Sequence, residues 1–340
     1  MPQQPIDIVL TWVDGEDSQW LEQRAAASGK TSAATSILNH ASRYREIGLL
    51  RYVLRSINTY APWVRNIFLV TPGQRPSWLP EISSSKLVLI DQNDIIPNEF
   101  QPCYKSTGVE WHLHRIPGLS EHFIYMNDDM LFNAPVSPED FFVDGIPRLT
   151  AIYRPLPINN FSHMVLSTLV ALNRNHVQGK ISRSMPGKFF NPFIHPLYAR
   201  NTIYRSLDQF SSKDSLKTSY LFPHVALPLR KKTIHKIWEK EYKALKETCS
   251  RPFRDNADIL IWLAMFWEIE NGTFVPQNPA ETKLIYADNI ESIKNTLNNT
   301  KIKQYCINDS EDIDKLTEEI LTNINSLMKS KYSTPSPYEI

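Results

Sequence analysis

The chain has 340 residues, of which 42% are hydrophobic and 21% are charged, and its formal net charge is +1. These proportions are typical of a folded, water-soluble protein that is long enough to bury a large core. Because its ten glycines are widely spaced, the sequence excludes the Rossmann, P-loop and nucleophile-elbow motifs, each of which needs closely spaced glycines.

The sequence contains no clear pattern for a membrane span, an export signal or a disulfide bond. No apolar run approaches the roughly 20 residues that a bilayer span requires, and the N-terminus lacks the features of an export signal. The cysteines Cys103, Cys249 and Cys306 are far apart and form no C-x-x-C pair, which favours a reducing compartment. We therefore expect a cytoplasmic protein without a transmembrane segment, associated at most peripherally with the inner face of the cytoplasmic membrane.

Strand-like and helix-like segments alternate in the first part of the chain. Short runs of Ile, Val, Leu, Phe and Tyr predict strands at residues 6–13, 66–71, 86–91 and 122–127. Residues 48–60 carry apolar side chains at helical intervals and stop before a proline, which predicts a helix. The alternation predicts an α/β fold with a mostly parallel central sheet flanked by helices.

Each predicted strand ends in polar side chains, namely Asp14, Thr71, Asp91 and the pair Asp128-Asp129. In an open α/β sheet the ligand binds outside the carboxyl ends of the strands, so these side chains are expected around one cleft. The alternative is that strand ends are polar because they are exposed to water. The acidic pair argues against that alternative, because two adjacent carboxylates near a core are costly unless a cation offsets their charge.

Asp128 and Asp129 are adjacent carboxylates that follow an apolar strand. Two such charges repel each other and are costly near a core unless a cation offsets them. Oxygen ligands of this kind suit Mg²⁺ or Mn²⁺, which often completes its coordination shell with substrate phosphates. The pair therefore indicates an enzyme that acts on a nucleotide diphosphate.

Residues 145–207 contain no Asp or Glu. The basic residues of this segment are Arg148, Arg154, Arg174, Lys180, Arg183, Lys188, Arg200 and Arg205. A segment of one charge sign in a nearly neutral protein suggests a surface that attracts an anion. Without a nucleic-acid-binding motif, and with a pI near 7.7, the expected anion is a phosphate-rich substrate and not nucleic acid. A solvated variable loop is the alternative.

Two further candidate residues lie beyond this segment. His224 follows a proline, and Arg254 lies in the connection before a buried helix that is predicted at 255–271. Side chains in connections can reach a functional site, but a single histidine or arginine usually has a structural role. The residue types alone leave both possibilities open.

The C-terminal part predicts an amphipathic helix at 310–329 that docks onto the core, followed by a frayed tail at 332–340. The helix begins with acidic residues, as the helix dipole favours. The apolar stripe consists of Ile313, Leu316, Ile320, Ile324 and Leu327.

Several long strings resemble the Stealth family. They are IDIVLTWVDGED, SRYREIGLLRYVLRSINTYAPWVRNIFLVTPGQRPSWL and GVEWHLHRIPGLSEHFIYMNDDMLF, with a looser match at 224–272 and a short match at 304–309. The regions occur in the family's order and cover nearly the whole chain. The family comprises sugar-1-phosphate transferases of bacterial capsule synthesis and is related to GlcNAc-1-phosphotransferase.

The resemblance implies a glycosyltransferase-A-like, Rossmann-like core with a helical insertion, in one catalytic domain over residues 1–340. Its parts would be an N-terminal α/β half at 1–144, a basic insertion at 145–222, a second part of the core at 223–309, and the C-terminal helix and tail at 310–340. This expectation agrees with the α/β pattern of the strands and helices.

The implied reaction transfers N-acetylhexosamine 1-phosphate, such as GlcNAc-1-phosphate, from a UDP-sugar to a hydroxyl of a glycan acceptor and releases UMP. Mg²⁺ or Mn²⁺ would assist, and capsule-assembly proteins are candidate partners. Two rival functions remain. A conventional metal-dependent glycosyltransferase would release UDP, and a non-catalytic protein that binds anionic glycans would turn over no UDP-sugar.

Roles can be carried over to the matched positions. Asp128, Asp129 and Asp309 would hold the metal, with Asp129 also counted as catalytic. His224 would act as the general base, and Arg254 would stabilise the charge on the transferring phosphoryl group. The implied substrate-binding residues are Asp14, Arg43, Arg51, Arg55, His114, Arg115 and Asn308. For Arg51 and Arg55, which share a helix face, a solvated face is the alternative.

Overall fold

The computed structural model describes residues 4–29, 37–80, 86–156, 158–177, 180–203, 219–309 and 316–339. The strands are β1 Ile6–Thr11, β2 Ile67–Thr71, β3 Leu87–Asp91, β4 His122–Asn127, β5 Met130–Phe132, β6 Phe142–Val143, β7 Ile146–Leu149, β8 Tyr153–Arg154, β9 Ser219–Tyr220, β10 Leu227–Arg230, β11 Val275–Pro276, β12 Thr282–Tyr286 and β13 Gln304–Asn308. The α-helices are α1 Ser18–Ser28, α2 Leu50–Tyr60, α3 Gln92–Ile95, α4 Ser106–Glu110, α5 Ser162–Asn175, α6 Lys180–Ser184, α7 Pro186–Phe189, α8 Lys231–Lys240, α9 Tyr242–Ser250, α10 Trp262–Glu270, α11 Ile290–Leu297 and α12 Glu318–Lys331. None of the helices in these ranges has the length and apolar composition needed to span a membrane.

The central sheet has five strands in the order β10-β4-β1-β2-β3. Strands β1 to β4 pair in parallel, and β10 adds an antiparallel edge. The α/β prediction with a mostly parallel sheet is therefore confirmed. Strand β4 has the predicted bounds, because its apolar run is continuous and ends at polar residues on both sides.

Side chains that alternate along the strands enter two separate cores, one on each face of the sheet. Ile8 and Leu10 of β1 lie in one core, with most of helix α2. Val9 lies in the other core, with α5 and α10. Both faces are covered by helices, which is why the strands read as nearly continuous apolar runs and not as alternating ones.

A second, three-stranded sheet in the order β12-β13-β5 adjoins the carboxyl end of β4. The chain reverses through Asp128 and Asp129 between β4 and β5. Strand β13 pairs antiparallel with β5, and the Ile307 backbone N–H donates to the Asp129 carbonyl at 2.9 Å. The small sheet thus brings the residues that follow β13 to the acidic turn.

The C-terminal tail is packed and does not fray through residue 339, contrary to the prediction. Tyr332 and Tyr338 are buried, and the Glu339 carboxylate accepts hydrogen bonds from Arg55 Nε at 2.8 Å and Nη2 at 2.5 Å. Helix α12 buries Ile324 and Met328. The start of the predicted helix, at residues 310–315, lies outside the described residues.

Helix α10 begins at Trp262, later than predicted, because the preceding residues form a turn around a buried ion pair. Asp258 accepts hydrogen bonds from Lys105 Nζ at 2.8 and 2.9 Å and from Arg251 Nη2 at 3.0 Å. Lys105 and Asp258 have no exposed side-chain surface. Burial lowers the pKa of Lys105, and Asp258 opposes that shift. This pair fixes the loop before α4 to the turn that precedes α10.

We expect Lys105→Met to lower the free energy of unfolding by about 2 kcal/mol, because it removes one of two cations from a buried carboxylate. Arg251 remains and keeps the loss below that of a fully uncompensated charge. Urea denaturation checks the value. The matched control is Lys246→Met, since the Lys246–Glu99 pair at 3.4 Å is largely exposed and its loss should change little. Equal effects of the two substitutions would contradict the structural role of Lys105.

Candidate active site

A cleft of about 410 Å³ lies at the carboxyl ends of β1, β2 and β4. This is where a ligand binds in an open α/β sheet. Seven of the predicted site residues line it: Arg43, Asp128, Asp129, His224, Arg254, Asn308 and Asp309. The fold therefore brings residues from five separate parts of the chain to one place.

Asp128 and Asp129, in the turn after β4, form a cluster of carboxylates together with Glu46. The pKa of Asp128 is raised well above its usual value, first by burial and then by the nearby charges of Glu46 and Asp129. Burial also raises the pKa of Glu46, whose carboxylate accepts a hydrogen bond from the indole N–H of Trp12. The cluster is electrostatically unfavourable without a cation, because burial and mutual repulsion both disfavour the charged forms.

Asp129 belongs to this carboxylate cluster and also lies near two other side chains that can bind a metal ion. One oxygen of Asp129, one ring nitrogen of His224 and the Cys306 sulfur all lie within 4.8 Å of one another. Asp129 Oδ1 is buried without a hydrogen-bond partner. Burial raises the pKa of the Asp129 carboxyl, and His224 opposes that shift. A buried carboxylate oxygen without a hydrogen-bond partner is suited to binding a cation.

The residues present fit a divalent metal ion. Asp128 and Asp129 offer hard carboxylate oxygens, which suit Mg²⁺ or Mn²⁺. Asp309 faces the same cleft and is held by Arg45, whose Nε lies 3.1 Å from Asp309 Oδ2. The Cys306 thiol and the His224 ring would suit a softer metal, so the donor set alone does not choose one ion.

His224 has an unusual backbone conformation, with a φ of 49°. Left-handed backbone is uncommon for residues other than glycine and tends to persist at functional sites. Burial lowers the pKa of the imidazole, Asp129 opposes this, and Arg43 adds to it. The ring is therefore neutral near pH 7 and can accept a proton.

Arg254 is held on both its backbone and its side chain. Its backbone N–H donates to Asn39 Oδ1 at 2.9 Å, and Asn39 Nδ2 donates back to the Arg254 carbonyl at 2.9 Å. Its Nη2 donates to the Ser106 hydroxyl at 3.0 Å. The guanidinium is thus fixed at the wall of the cleft. Its side-chain hydrogen bonds within the described residues go to a backbone carbonyl and a hydroxyl, and not to a carboxylate.

Asp14 and Arg51 do not line the cleft but an adjoining groove of about 610 Å³. The Asp14 carboxylate accepts from the Glu16 backbone N–H at 2.9 Å, which holds the turn after β1. The Arg51 guanidinium lies 5.0 Å from the centre of the Trp78 ring, and its Nε lies 3.6 Å from Glu339. The cleft and the groove meet at Trp12, Glu46 and Ile47, which line both.

The prediction that Arg55, His114 and Arg115 bind substrate is not supported by their positions. Arg55 is buried in its ion pair with Glu339 and donates from Nη1 to the Tyr332 carbonyl at 2.8 Å. His114 is buried against His235, with 4.6 Å between the ring centres. Arg115 is exposed and is not among the described residues that line the cleft. Packing of the tail accounts for the position of Arg55, and packing of α8 accounts for that of His114.

His112 and His114 are both buried and have structural roles. His112 packs against both Phe100 and Trp238, with 5.5 and 5.4 Å between the ring centres, and neither of its ring nitrogens has a hydrogen-bond partner among the described residues. Burial lowers the pKa of His112 to about 4 and, with a contribution from His235, that of His114 to about 3. Both rings are therefore neutral in the folded protein and take up protons on unfolding in mild acid.

We expect His112→Phe to weaken the acid sensitivity of the fold. The folded-state pKa lies below the unfolded value, so wild-type stability falls as the pH drops below about 6.5, by on the order of 2 kcal/mol per histidine at pH 5. Phenylalanine keeps the ring stack and cannot titrate. Urea denaturation at pH 7.5 and pH 5 measures the difference. An unchanged pH dependence in the variant would contradict this account.

The acid-free segment 145–207 contributes Arg154 to the cleft, together with the apolar and amide side chains around it. Other basic residues of the segment have structural partners. Arg174 pairs with a buried glutamate at the end of α8, and Lys188 Nζ donates to two backbone carbonyls at 2.8 and 2.7 Å. Arg205 lies outside the described residues. The segment is therefore partly a cleft wall and partly a packed element.

Sequence reasoning missed Glu46 and Cys306. Glu46 lies in the string SRYREIGLLRYVL. No local pattern distinguishes it there from the other charged residues. Cys306 is an isolated cysteine in the sequence, and it stands two residues before Asn308. Alternation along a strand could have placed Cys306 and Asn308 on the same face of β13.

Two family models match regions of this chain. The family model described as Stealth protein CR1, conserved region 1, matches residues 4–32, and the model described as Stealth protein CR2, conserved region 2, matches residues 43–148. The second match contains Arg43, Glu46 and the acidic turn.

Relatives of similar length extend over nearly the whole chain. The capsular polysaccharide phosphotransferase WcwK of Streptococcus pneumoniae is 36% identical and covers 98% of this chain and 99% of its own. The exopolysaccharide phosphotransferase cps2G of Lactiplantibacillus plantarum is 34% identical, with 96% and 95% covered. The receptor polysaccharide phosphotransferase WefC of Streptococcus oralis is 34% identical, with 98% and 99% covered.

Among solved structures, the galactosyltransferase LgtC aligns over 95% of each chain at 10% identity, with a TM-score of 0.37. That similarity is too low to support a functional conclusion. The sequence relatives are close enough to do so, since they match from end to end. The chain therefore belongs to the Stealth family and is a phosphotransferase.

Proposed function

We propose that this phosphotransferase moves N-acetylhexosamine 1-phosphate, with GlcNAc-1-phosphate as the first candidate, from a UDP-sugar to a hydroxyl of a glycan acceptor. The product is a phosphodiester, and the leaving group is UMP. Bacterial capsular polysaccharide synthesis is the proposed setting, because relatives of similar length are capsular and exopolysaccharide phosphotransferases.

One observation carries the proposal: the carboxylates Asp128 and Asp129, the neutral imidazole of His224 and the guanidinium of Arg254 share one cleft. Phosphoryl transfer depends mainly on positioning and on electrostatic stabilisation, and these groups supply both. A protein that only binds anionic glycans would not need buried carboxylates in its binding cleft.

In the proposed reaction, His224 takes the proton of the acceptor hydroxyl as the oxygen attacks the β-phosphorus in line. Its lowered pKa keeps the ring neutral and ready to accept that proton. Asp129, whose carboxylate lies within 4.8 Å of the ring, orients it and stabilises the imidazolium that forms. The bond between the β-phosphorus and the bridging oxygen breaks, and UMP departs.

Arg254 stabilises the negative charge of the transferring phosphoryl group through its paired N–H donors. The Ser106 hydroxyl and Asn39 keep the arginine in place. Asn308, at the end of β13, donates to a phosphate or sugar oxygen, and Arg43 adds positive charge to the lining of the same cleft.

Asp128 and Asp129, assisted by Asp309, would hold Mg²⁺ or Mn²⁺. When bound, the metal neutralises charge on the diphosphate and on the departing UMP. The pKa of Asp128 is raised first by burial and then by repulsion from Glu46 and Asp129, and a bound cation would offset that repulsion. A metal bound through the His224 ring nitrogen would occupy the lone pair that accepts the proton, so the two roles of His224 exclude each other.

The nucleotide product distinguishes this reaction from its rivals. The purified chain is incubated with Mg²⁺, UDP-GlcNAc and an acceptor oligosaccharide, and the nucleotides are separated by anion-exchange chromatography. UMP in amounts equal to the extended acceptor is the expected result. UDP would indicate conventional glycosyl transfer, and no turnover with any UDP-sugar tested would contradict the proposal.

A further inference from the structure

Arg45 lines the cleft but uses few of its hydrogen-bond donors. Its Nε donates to Asp309 Oδ2 at 3.1 Å, and this is its one side-chain hydrogen bond within the ranges that the structure describes. Nη2 is buried and has no hydrogen-bond partner there. A guanidinium carries its N–H donors in a planar fork, and a buried donor without a partner costs free energy. Most of the fork of Arg45 is therefore available to a ligand.

The backbone around Arg45 is held on both sides. Tyr44 is buried, and its hydroxyl donates to the Tyr104 carbonyl at 2.8 Å. The Glu46 carboxylate accepts from the indole N–H of Trp12. A side chain at position 15, in the turn after β1, would clash with the Tyr44 carbonyl, so the glycine there allows that turn to pack closely. Arg45 therefore lies in an ordered segment beside the end of β1.

The ion pair between Arg45 and Asp309 is easily exchanged. The pair has a single contact, and its side chains are 21% and 18% exposed. Arg55 differs, because it donates two hydrogen bonds to Glu339 and is more deeply buried. A partly exposed pair with one contact contributes little free energy, whereas a phosphate can accept two parallel N–H bonds from an arginine. Phosphate is thus the anion that best replaces the carboxylate at Arg45.

The neighbours of Arg45 indicate which phosphate it meets. In an in-line displacement the attacking hydroxyl and the departing oxygen lie on opposite sides of the β-phosphorus. His224 marks the side of the hydroxyl, and the charged residues that shift its pKa are Asp129 and Arg43. Arg45 contacts Asp309 instead. This arrangement favours the side of the departing nucleotide for Arg45.

We propose that Arg45 binds the α-phosphate of the donor and neutralises the UMP that departs. The bond that breaks joins the β-phosphorus to the bridging oxygen, which keeps the electron pair and leaves as part of UMP. Arg45 exchanges Asp309 for the α-phosphate, and the Asp309 carboxylate then becomes available to a cation. The inference rests on the proposed reaction and adds to it a substrate-binding residue and an exchange of partners.

The exchange predicts opposite effects on two ligands when Arg45 is replaced by glutamine. The affinity for UMP and for UDP, measured by calorimetry at saturating Mg²⁺, should fall at least about tenfold, because charge-assisted hydrogen bonds are lost. The affinity for Mn²⁺ without nucleotide, measured by electron paramagnetic resonance, should rise at least about threefold. Removing a cation from Asp309 makes the carboxylate cluster more negative and leaves that carboxylate to the metal.

Two further variants serve as controls. Arg45→Lys keeps the charge but loses the fork, so its affinity for Mn²⁺ should match that of the wild type and its affinity for UMP should be intermediate. Arg115→Gln removes an exposed arginine that is not among the described residues lining the cleft, so neither affinity should change. Thermal unfolding checks that each variant is folded.

Four outcomes would overturn the role of Arg45 and leave the proposed reaction standing. One is an unchanged affinity of Arg45→Gln for UMP, and another is an equal loss in Arg115→Gln. A joint loss of affinity for UMP and Mn²⁺ would show that Arg45 merely positions Asp309. Weaker binding of UDP but not of UMP would place the contact on the β-phosphate. If the wild type bound neither nucleotide, the proposed donor would be wrong as well.

Discussion

Replacing His224 by alanine is expected to lower kcat at least about 10²-fold, because the acceptor hydroxyl then loses the group that removes its proton. The donor should still bind, since the carboxylates and Arg254 remain. Turnover of a UDP-sugar with saturating acceptor measures the first effect, and calorimetric titration of the donor measures the second. Turnover like that of the wild type would remove His224 from the mechanism.

The left-handed backbone conformation of His224 makes a second variant necessary. A residue with a φ of 49° is strained unless it is glycine, asparagine or aspartate. His224→Asn should therefore keep the fold while it removes the base. If His224→Ala were inactive only because it was misfolded, His224→Asn would restore activity, and the assignment of a base would be wrong.

The pH profile provides an independent check of the same residue. A protonated imidazole cannot accept a proton, so activity is lost as the pH falls through the pKa of His224. Burial lowers that pKa, so the acid limb of kcat/KM should lie below the usual histidine range near 6.5. Variants at position 224 should lack this limb.

Asp129→Asn is expected to reduce turnover at least about 10²-fold, since the amide keeps the shape of the side chain but removes its charge. The same substitution should weaken the binding of Mn²⁺, which electron paramagnetic resonance detects directly. Asp94→Asn is the matched control, because Asp94 is exposed in α3 and is not among the described residues that line the cleft. Unchanged Mn²⁺ affinity in Asp129→Asn would exclude Asp129 as a ligand.

The same variant should not be less stable than the wild type in the absence of metal. Asp129 has a raised pKa in the folded protein, so its ionised form opposes folding at neutral pH. Removing that charge therefore relieves an unfavourable interaction. A stable but inactive Asp129→Asn protein would show that this carboxylate serves function at the expense of the fold.

The sheet and the acidic turn were predictable because their signals are local. The apolar run of β4 is bounded by polar residues, and the two aspartates follow it directly. Their meeting with Asn308 was predictable only through the resemblance to a family. No local pattern shows that β13 pairs with β5 and so places Cys306 near Asp129.

Arg55, which was expected to bind substrate, has a partner far away in the sequence instead. Arg55 pairs with Glu339, 284 positions later, so a helix face that looked solvated is covered by the C-terminal tail. Lys105 similarly meets Asp258, 153 positions later. Charges of opposite sign are common along the chain, so their pairing cannot be read from residue types alone.

A donor radiolabelled in its β-phosphate tests the central claim most directly, which is that the acceptor attacks phosphorus and not the anomeric carbon. The labelled UDP-GlcNAc is incubated with the protein, Mg²⁺ and acceptor, and the label is followed into the glycan or the nucleotide. The account predicts that the label enters the glycan in a phosphodiester and that the nucleotide formed is unlabelled UMP. Recovery of the label in UDP, with unphosphorylated sugar on the acceptor, would contradict it.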